Sequence, residues 1–144
     1  MILVSACLLG EKCKYNGSDN KNEAVLRFLE GKNYIPICPE TMGGLTAPRL
    51  PAEIVKDKVI QKDGTDVTAF FERGANLVAE LALKHKATLA ILKANSPSCG
   101  VGNVYDGSFT GTLVAGNGMA AQKLIEMGIT VKTEKQLENE SKSW

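Results

Sequence analysis

Four thiols carry the richest chemistry in this chain: Cys7, Cys13, Cys38 and Cys99. Three of them follow short apolar runs. Ile2-Leu3-Val4-Ser5-Ala6 leads into Cys7, and Tyr34-Ile35-Pro36-Ile37 leads into Cys38. Thr88 to Leu92 runs towards the small-residue turn Ser96-Pro97-Ser98-Cys99-Gly100. Each run is continuous, short and bounded by polar residues, the pattern of a buried strand. Parallel strands in one sheet would gather these thiols at its carboxyl edge, where open α/β sheets place ligands. Thiolates suit zinc, copper(I) or iron–sulfur clusters. The chain has no C-x2-C pair, which argues against a zinc knuckle. Wide spacing fits an enclosed iron–sulfur cluster better, although ferredoxin-type spacing is missing too. Taken singly, each cysteine is equally well a small buried hydrophobe.

Cys13 shares a loop with Cys7 and can be a fourth ligand, a sulfur-handling nucleophile or an incidental thiol. Glu40 follows Cys38 across Pro39, so a carboxylate sits in a proline-fixed turn where it can act as a general base. An ordinary loop glutamate is the competing reading. Ser96 and Ser98 can donate hydrogen bonds to a substrate or to cluster sulfurs, or simply stabilise the turn around Pro97. Lys93, at a strand end, can neutralise cluster charge or be solvated. Arg49, between Pro48 and Leu50, can bind an anionic or carbonyl group or make a surface ion pair. Gly100-Val101-Gly102-Asn103 lacks the strand-to-helix G-x-G-x-x-G context, and no Gly-Lys-Ser/Thr occurs, so a phosphate cradle is not expected. The single His85 falls at a helix end, and no Ser-His-Asp set is present.

Composition narrows the class of function. At 144 residues, 44% hydrophobic and 23% charged, the chain is expected to form one globular domain over 1–144 with a real core. A net charge of +1 offers no basic field for nucleic acid or an acidic membrane surface. No apolar run approaches the roughly 20 residues of a membrane helix, and Met1 opens without a basic leader region. A cytoplasmic location is therefore expected, where cysteines are more often metal-binding or reactive than disulfide-bonded.

The elements that must position the thiols alternate along the chain. Strand one is expected over Met1 to Ala6, followed by an irregular loop ending at Asn16-Gly17. A helix over about residues 22–30, capped by Asp19 or Asn20, stops at Gly31. Strand two spans Tyr34 to Ile37, and residues 41–51 hold too many prolines and glycines for a regular element. Glu53-Ile54-Val55 and Lys58 to Gln61 form a small hairpin. Asp66 caps the clearest helix, about Val67 to His85, whose apolar positions recur at helical spacing. After strand three comes a long glycine-rich loop from Asn95 to Asn117. A helix over Met119 to Met127, a strand at Ile129 to Val131 and a short helix over Glu134 to Glu138 complete the chain. This alternation predicts an α/β fold: a Rossmann-like three-layer sandwich with a mostly parallel sheet and a small β-hairpin insertion.

The ordered motifs also resemble those of the thiouracil desulfidase family. They are Val4-Ser-Ala-Cys-Leu-Leu-Gly10, Cys13-Lys-Tyr-Asn-Gly17, Pro36-Ile-Cys-Pro-Glu40, Gly43-Gly-Leu-Thr-Ala-Pro-Arg49, Leu92-Lys-Ala-Asn-Ser-Pro-Ser-Cys-Gly100 and Tyr105-Asp-Gly107. Asn16 stands where the family commonly has Asp. The resemblance implies a [4Fe–4S] cluster held by Cys7, Cys38 and Cys99, with one iron free of protein ligands. It implies non-redox removal of sulfur from a thiolated nucleobase such as 2-thiouracil. Glu40 would activate water for attack at the thiocarbonyl carbon, with Ser96, Ser98 and Cys13 at the reacting centre. Lys93 and Arg49 would hold the substrate, and hydrogen sulfide would leave. The expected partner is that small molecule, with neither nucleic acid nor membrane. A non-catalytic iron–sulfur or sulfide carrier is the alternative, and a redox sensor using Cys7 and Cys13 a third reading.

Overall fold

A computed structural model describes all residues from Met1 to Trp144. Its first third holds β1 (Ile2–Ser5), a 3-10 turn at Ala6–Leu9, α1 (Glu23–Leu29), β2 (Tyr34–Ile37) and α2 (Pro39–Met42). The middle holds β3 (Ala52–Val55), β4 (Lys58–Gln61), α3 (Thr68–Lys84) and β5 (Leu89–Leu92). The remainder holds β6 (Asn103–Tyr105), β7 (Leu113–Ala115), α4 (Met119–Glu126), β8 (Thr130–Thr133) and α5 (Glu134–Ser141).

Four strands form one parallel sheet in the order β2-β1-β5-β8. Successive side chains of a strand point to opposite faces, so a strand covered on both sides must be apolar throughout. β1 shows this directly. Leu3 packs into a core with Val78 and Ala82 of α3 and Ala121 and Leu124 of α4. Its neighbour Val4 packs on the other face with Val25 and Leu29 of α1 and Leu137 of α5. β5 repeats the arrangement, with Ala90 and Leu92 on the first face and Ile91 on the second. The result is the expected three-layer α/β sandwich with a parallel sheet. None of its helices is long and apolar enough to cross a membrane.

The chain leaves β1 towards β2 on one side and later returns to β5 on the other. This reversal opens a crevice beyond the carboxyl ends of β1 and β5. The expected hairpin is present as β3–β4. A second hairpin, β6–β7, lies within the segment 95–117 expected to be a loop. Its three-residue strands are too short to show a period in the sequence.

Local details differ from expectation where backbone bonding decides. Asn22, rather than Asp19 or Asn20, caps α1, accepting from Val25 N at 3.1 Å. Residues 20 and 22 are instead tied to the first turn, through Asn20 N to Cys7 O and Asn22 N to Leu8 O, each at 2.9 Å. Asp19 accepts locally from Lys21 N. Asp66 lies one residue outside the cap position of α3 but still accepts from Thr68 N at 2.9 Å. Residues 39–42 form a helical turn despite the prolines and glycines around them, because Pro39 occupies its first position, where no backbone donor is needed. The terminal helix runs on to Ser141, begun by a capping box between Thr133 and Gln136.

Candidate active site

Each thiol owes its place to a different local device. The 3-10 turn after β1 carries Cys7 and is closed by Gly10, whose positive φ of 103° lets its N–H reach back to Cys7 O. Cys38 is the N-cap residue of α2, and Met42 N and Thr41 Oγ1 both donate to its carbonyl. Cys99 lies in a turn where its own N–H donates to Ser96 Oγ at 2.7 Å. That turn is pinned by α4: Ala120 N and Ala121 N donate to Ser98 O at 2.9 and 3.1 Å. Gly118 permits the approach, since a Cβ there would stand 2.4 Å from the Ser98 carbonyl carbon.

All four cysteines line one cavity of about 460 Å³ at the carboxyl end of the sheet. Glu40, Arg49, Lys93, Ser96 and Ser98 line it too, so the structure brings these nine candidate side chains together, while His85 lies elsewhere, at the end of α3. The thiols are free. Hydrogen bonding from the Cys13 thiol lowers Cys7 below the ordinary thiol range and brings Cys38 down to about 6. The closeness of both thiols holds the proton on Cys13, which is raised. Burial pushes Cys99 up to about 12, against hydrogen bonds from Ser5 Oγ at 3.3 Å and Ser98 Oγ at 3.6 Å.

Glu40 is held at both carboxylate oxygens. Arg49 Nε and Nη2 donate to Oε1 at 3.2 and 2.9 Å. Ser98 Oγ donates to Oε2 at 2.7 Å and sits 3.4 Å from Ser96 Oγ. Arg49 and Glu40 are 7% and 16% exposed, so this is an ion pair largely withdrawn from water rather than a surface one. The remaining Arg49 nitrogen, Nη1, donates to Thr46 O. Lys93 Nζ turns to Glu134 Oε2 at 3.1 Å, while Glu134 Oε1 accepts from Ala94 N at 2.7 Å.

Two side chains at the cavity were not anticipated. Ser5 is a buried hydroxyl at the end of an otherwise apolar strand, donating to Cys99 Sγ and accepting from Lys93 N at 3.0 Å. A lone polar residue inside Ile2-Leu-Val-Ser5 was the available signal, because a buried hydroxyl needs partners. Glu53 is a buried carboxylate on β3, where strand alternation alone would turn it to either face.

The donor set fits a cluster better than a single ion. No three His, Cys, Asp or Glu side chains meet as the ligands of one metal ion would. Cys7, Cys38 and Cys99, reached from three different strands, line one cavity, a thiol set of the kind that holds an iron–sulfur cluster.

Comparison with known proteins agrees with this geometry. A Bacillus subtilis (strain 168) protein described as uncharacterized protein YbbK is 39% identical over 147 residues, 95% of this chain and 97% of its own length. A solved structure described as the [4Fe–4S]-dependent thiouracil desulfidase TudS matches with a TM-score of 0.89 at 43% identity. That match covers 96% of this chain and 93% of the other. The family model described as 2-thiouracil desulfurase matches residues 2–136, and the chain belongs to that family.

Proposed function

We propose that this chain is a [4Fe–4S]-dependent desulfidase that removes sulfur from a small thiolated nucleobase of the 2-thiouracil type by attack of water. Cys7, Cys38 and Cys99 would hold the cluster. Support comes from the relative described above and from three thiols, on three separate strand ends, lining one cavity. Held by these thiols, the cluster would supply a Lewis-acidic iron suited to a soft thiocarbonyl sulfur.

The chain's own residues account for the proton movements. Arg49 fixes Glu40 Oε1, leaving Oε2 as the atom that takes a proton from water. Ser98 Oγ, already on Oε2, orients that water or passes the proton towards Ser96 Oγ. Arg49 thus acts through Glu40, positioning the base. Lys93 lines the cavity wall with its Nζ anchored by Glu134. The observation that carries the reading is a carboxylate braced on one oxygen and aimed with the other into the turn that bears Cys99. A carrier of iron or sulfide would have no use for such a braced base.

The test is anaerobic reconstitution followed by sulfide release from 2-thiouracil. About four irons per chain and steady release of sulfide with uracil are expected. Single Ala variants at Cys7, Cys38 and Cys99 should lose the iron. Full iron loading without sulfide release would favour the carrier instead.

A further inference from the structure

Glu53 belongs to the β3–β4 hairpin, yet its buried carboxylate lines the same cavity as the thiols. Oε1 accepts from two backbone donors of the facing loop, Gly107 N at 3.0 Å and Phe109 N at 3.1 Å. That loop needs holding. Gly107 and Phe109 both have positive φ, 95° and 58°, and only the first is cheap. Gly107 also lies so close to β3 that a Cβ would stand 2.7 Å from Val55. The clamp therefore fixes Phe109, an aromatic ring, at the cavity wall.

The second oxygen is the informative one. No donor in the chain reaches Glu53 Oε2, and no buried side-chain oxygen is left unsatisfied, so Oε2 must open onto accessible space. The space beside this buried residue is the cavity. An unpaired carboxylate oxygen there is an acceptor without a donor, and the Phe109 side chain lines the same cavity.

We propose that Glu53 is a specificity-determining residue: Oε2 accepts a ring N–H of the substrate while Phe109 covers the ring face. This rests on the desulfidase reading above. The ligand class it selects is a planar ring thioamide with an N–H on the edge presented to Glu53. A site built to hydrogen-bond a donor rejects analogues lacking it far more strongly than an apolar pocket rejects a methyl group. Glu53 takes no part in bond breaking.

The test is calorimetric titration of the anaerobically loaded protein with 2-thiouracil, 1-methyl-2-thiouracil and 3-methyl-2-thiouracil, alongside sulfide release. In the wild type, one of the two methylated rings should bind at least about tenfold more weakly than 2-thiouracil, as loss of a hydrogen bond to a charged group implies. In Glu53→Gln the amide oxygen can still serve Gly107 and Phe109, while the other end becomes a donor. The preference should then collapse towards unity, with iron content and unfolding midpoint close to wild type. Phe109→Ala should weaken all three ligands alike and keep the preference. If Glu53 is only a loop clamp, Glu53→Gln will leave the ratio at its wild-type value, and that overturns the inference while sulfide release still supports the desulfidase. Absence of both binding and sulfide release in the wild type overturns the two together.

Discussion

Ser98 Oγ donates to Glu40 Oε2 at 2.7 Å, joining a turn after β5 to a helix after β2. The bond ties the proposed base to the residue immediately before Cys99. Glu40→Gln should lower sulfide release by roughly 10²–10⁴-fold, the usual contribution of a positioned acid–base group. Iron content should be unchanged. Ser98→Ala should cost less, roughly tenfold to a hundredfold, since the carboxylate stays braced by Arg49. Equal iron loading with undiminished turnover in Glu40→Gln would remove this carboxylate from the mechanism.

The cysteines should differ in reactivity before iron is added. The thiolate is the nucleophile, so a thiol reacts once the pH rises through its pKa. Cys38, brought to about 6 by the Cys13 hydrogen bond, is largely thiolate at neutral pH. Cys99, pushed by burial to about 12, remains protonated there. In iron-free protein at pH 7.5, iodoacetamide should modify Cys38 well before Cys99, with the Cys38 rate falling as pH drops below about 6. Peptide mass spectrometry of timed samples reads the order directly. Cys13→Ala should slow Cys38, because it removes the donor that favours its thiolate. Faster labelling of Cys99 than of Cys38 would contradict this electrostatic account.

Ser5 links the sheet to the site through two bonds, to Cys99 Sγ and from Lys93 N. Ser5→Ala leaves the Lys93 N–H without its acceptor in a partly buried setting, at a cost of about 1–3 kcal/mol. Urea unfolding should show a lower midpoint with the same slope. Because the Ser5 hydroxyl favours the Cys99 thiolate, iron loading of this variant should also be slower. A midpoint equal to wild type would mean that water replaces the hydroxyl.

Much of this is legible in the amino-acid sequence. The strands Ile2–Ser5 and Leu89–Leu92 announce themselves because both faces are buried, so each run is apolar, with Ser5 at the end of the first as its one polar residue. Their parallel pairing follows from the helices between them, and with it the meeting of Cys7 and Cys99. The Glu40–Arg49 pair was not legible. It depends on how residues 43–49 fold back, and proline and glycine rule out regular elements without specifying a path. The β6–β7 hairpin was hidden for a related reason: its strands are held by Gly116 N to Gly102 O and by pairing, not by an apolar pattern. Arg49 and Lys93 read equally well as substrate ligands or as surface charges. Their ion-pair partners, Glu40 and Glu134, are remote in sequence or lie across the irregular segment 43–48.

The last prediction concerns two glycines that no chemical motif explains. A Cβ on Gly74 would stand 1.9 Å from Pro39 O, and one on Gly43 would stand 2.0 Å from Phe70 O. Helices α2 and α3 therefore touch backbone to backbone, and α2 carries both Cys38, at its cap, and Glu40. Gly74→Ala cannot be absorbed by a side-chain movement, since the obstructing atom is main chain. The helices must separate, at a cost of about 1–3 kcal/mol or more. That separation moves Cys38 and Glu40 relative to Ser98 and Cys99. The variant should unfold at lower urea, retain less iron after gel filtration, and release sulfide more slowly even per bound iron. Gly31→Ala is the control: nothing lies within 4 Å of its Cβ, so only its positive φ of 74° is penalised. It should lose about 1–2 kcal/mol of stability while iron retention and turnover per iron stay at wild-type values. If Gly74→Ala behaves like Gly31→Ala in both respects, the close contact of α2 and α3 has no part in setting the site.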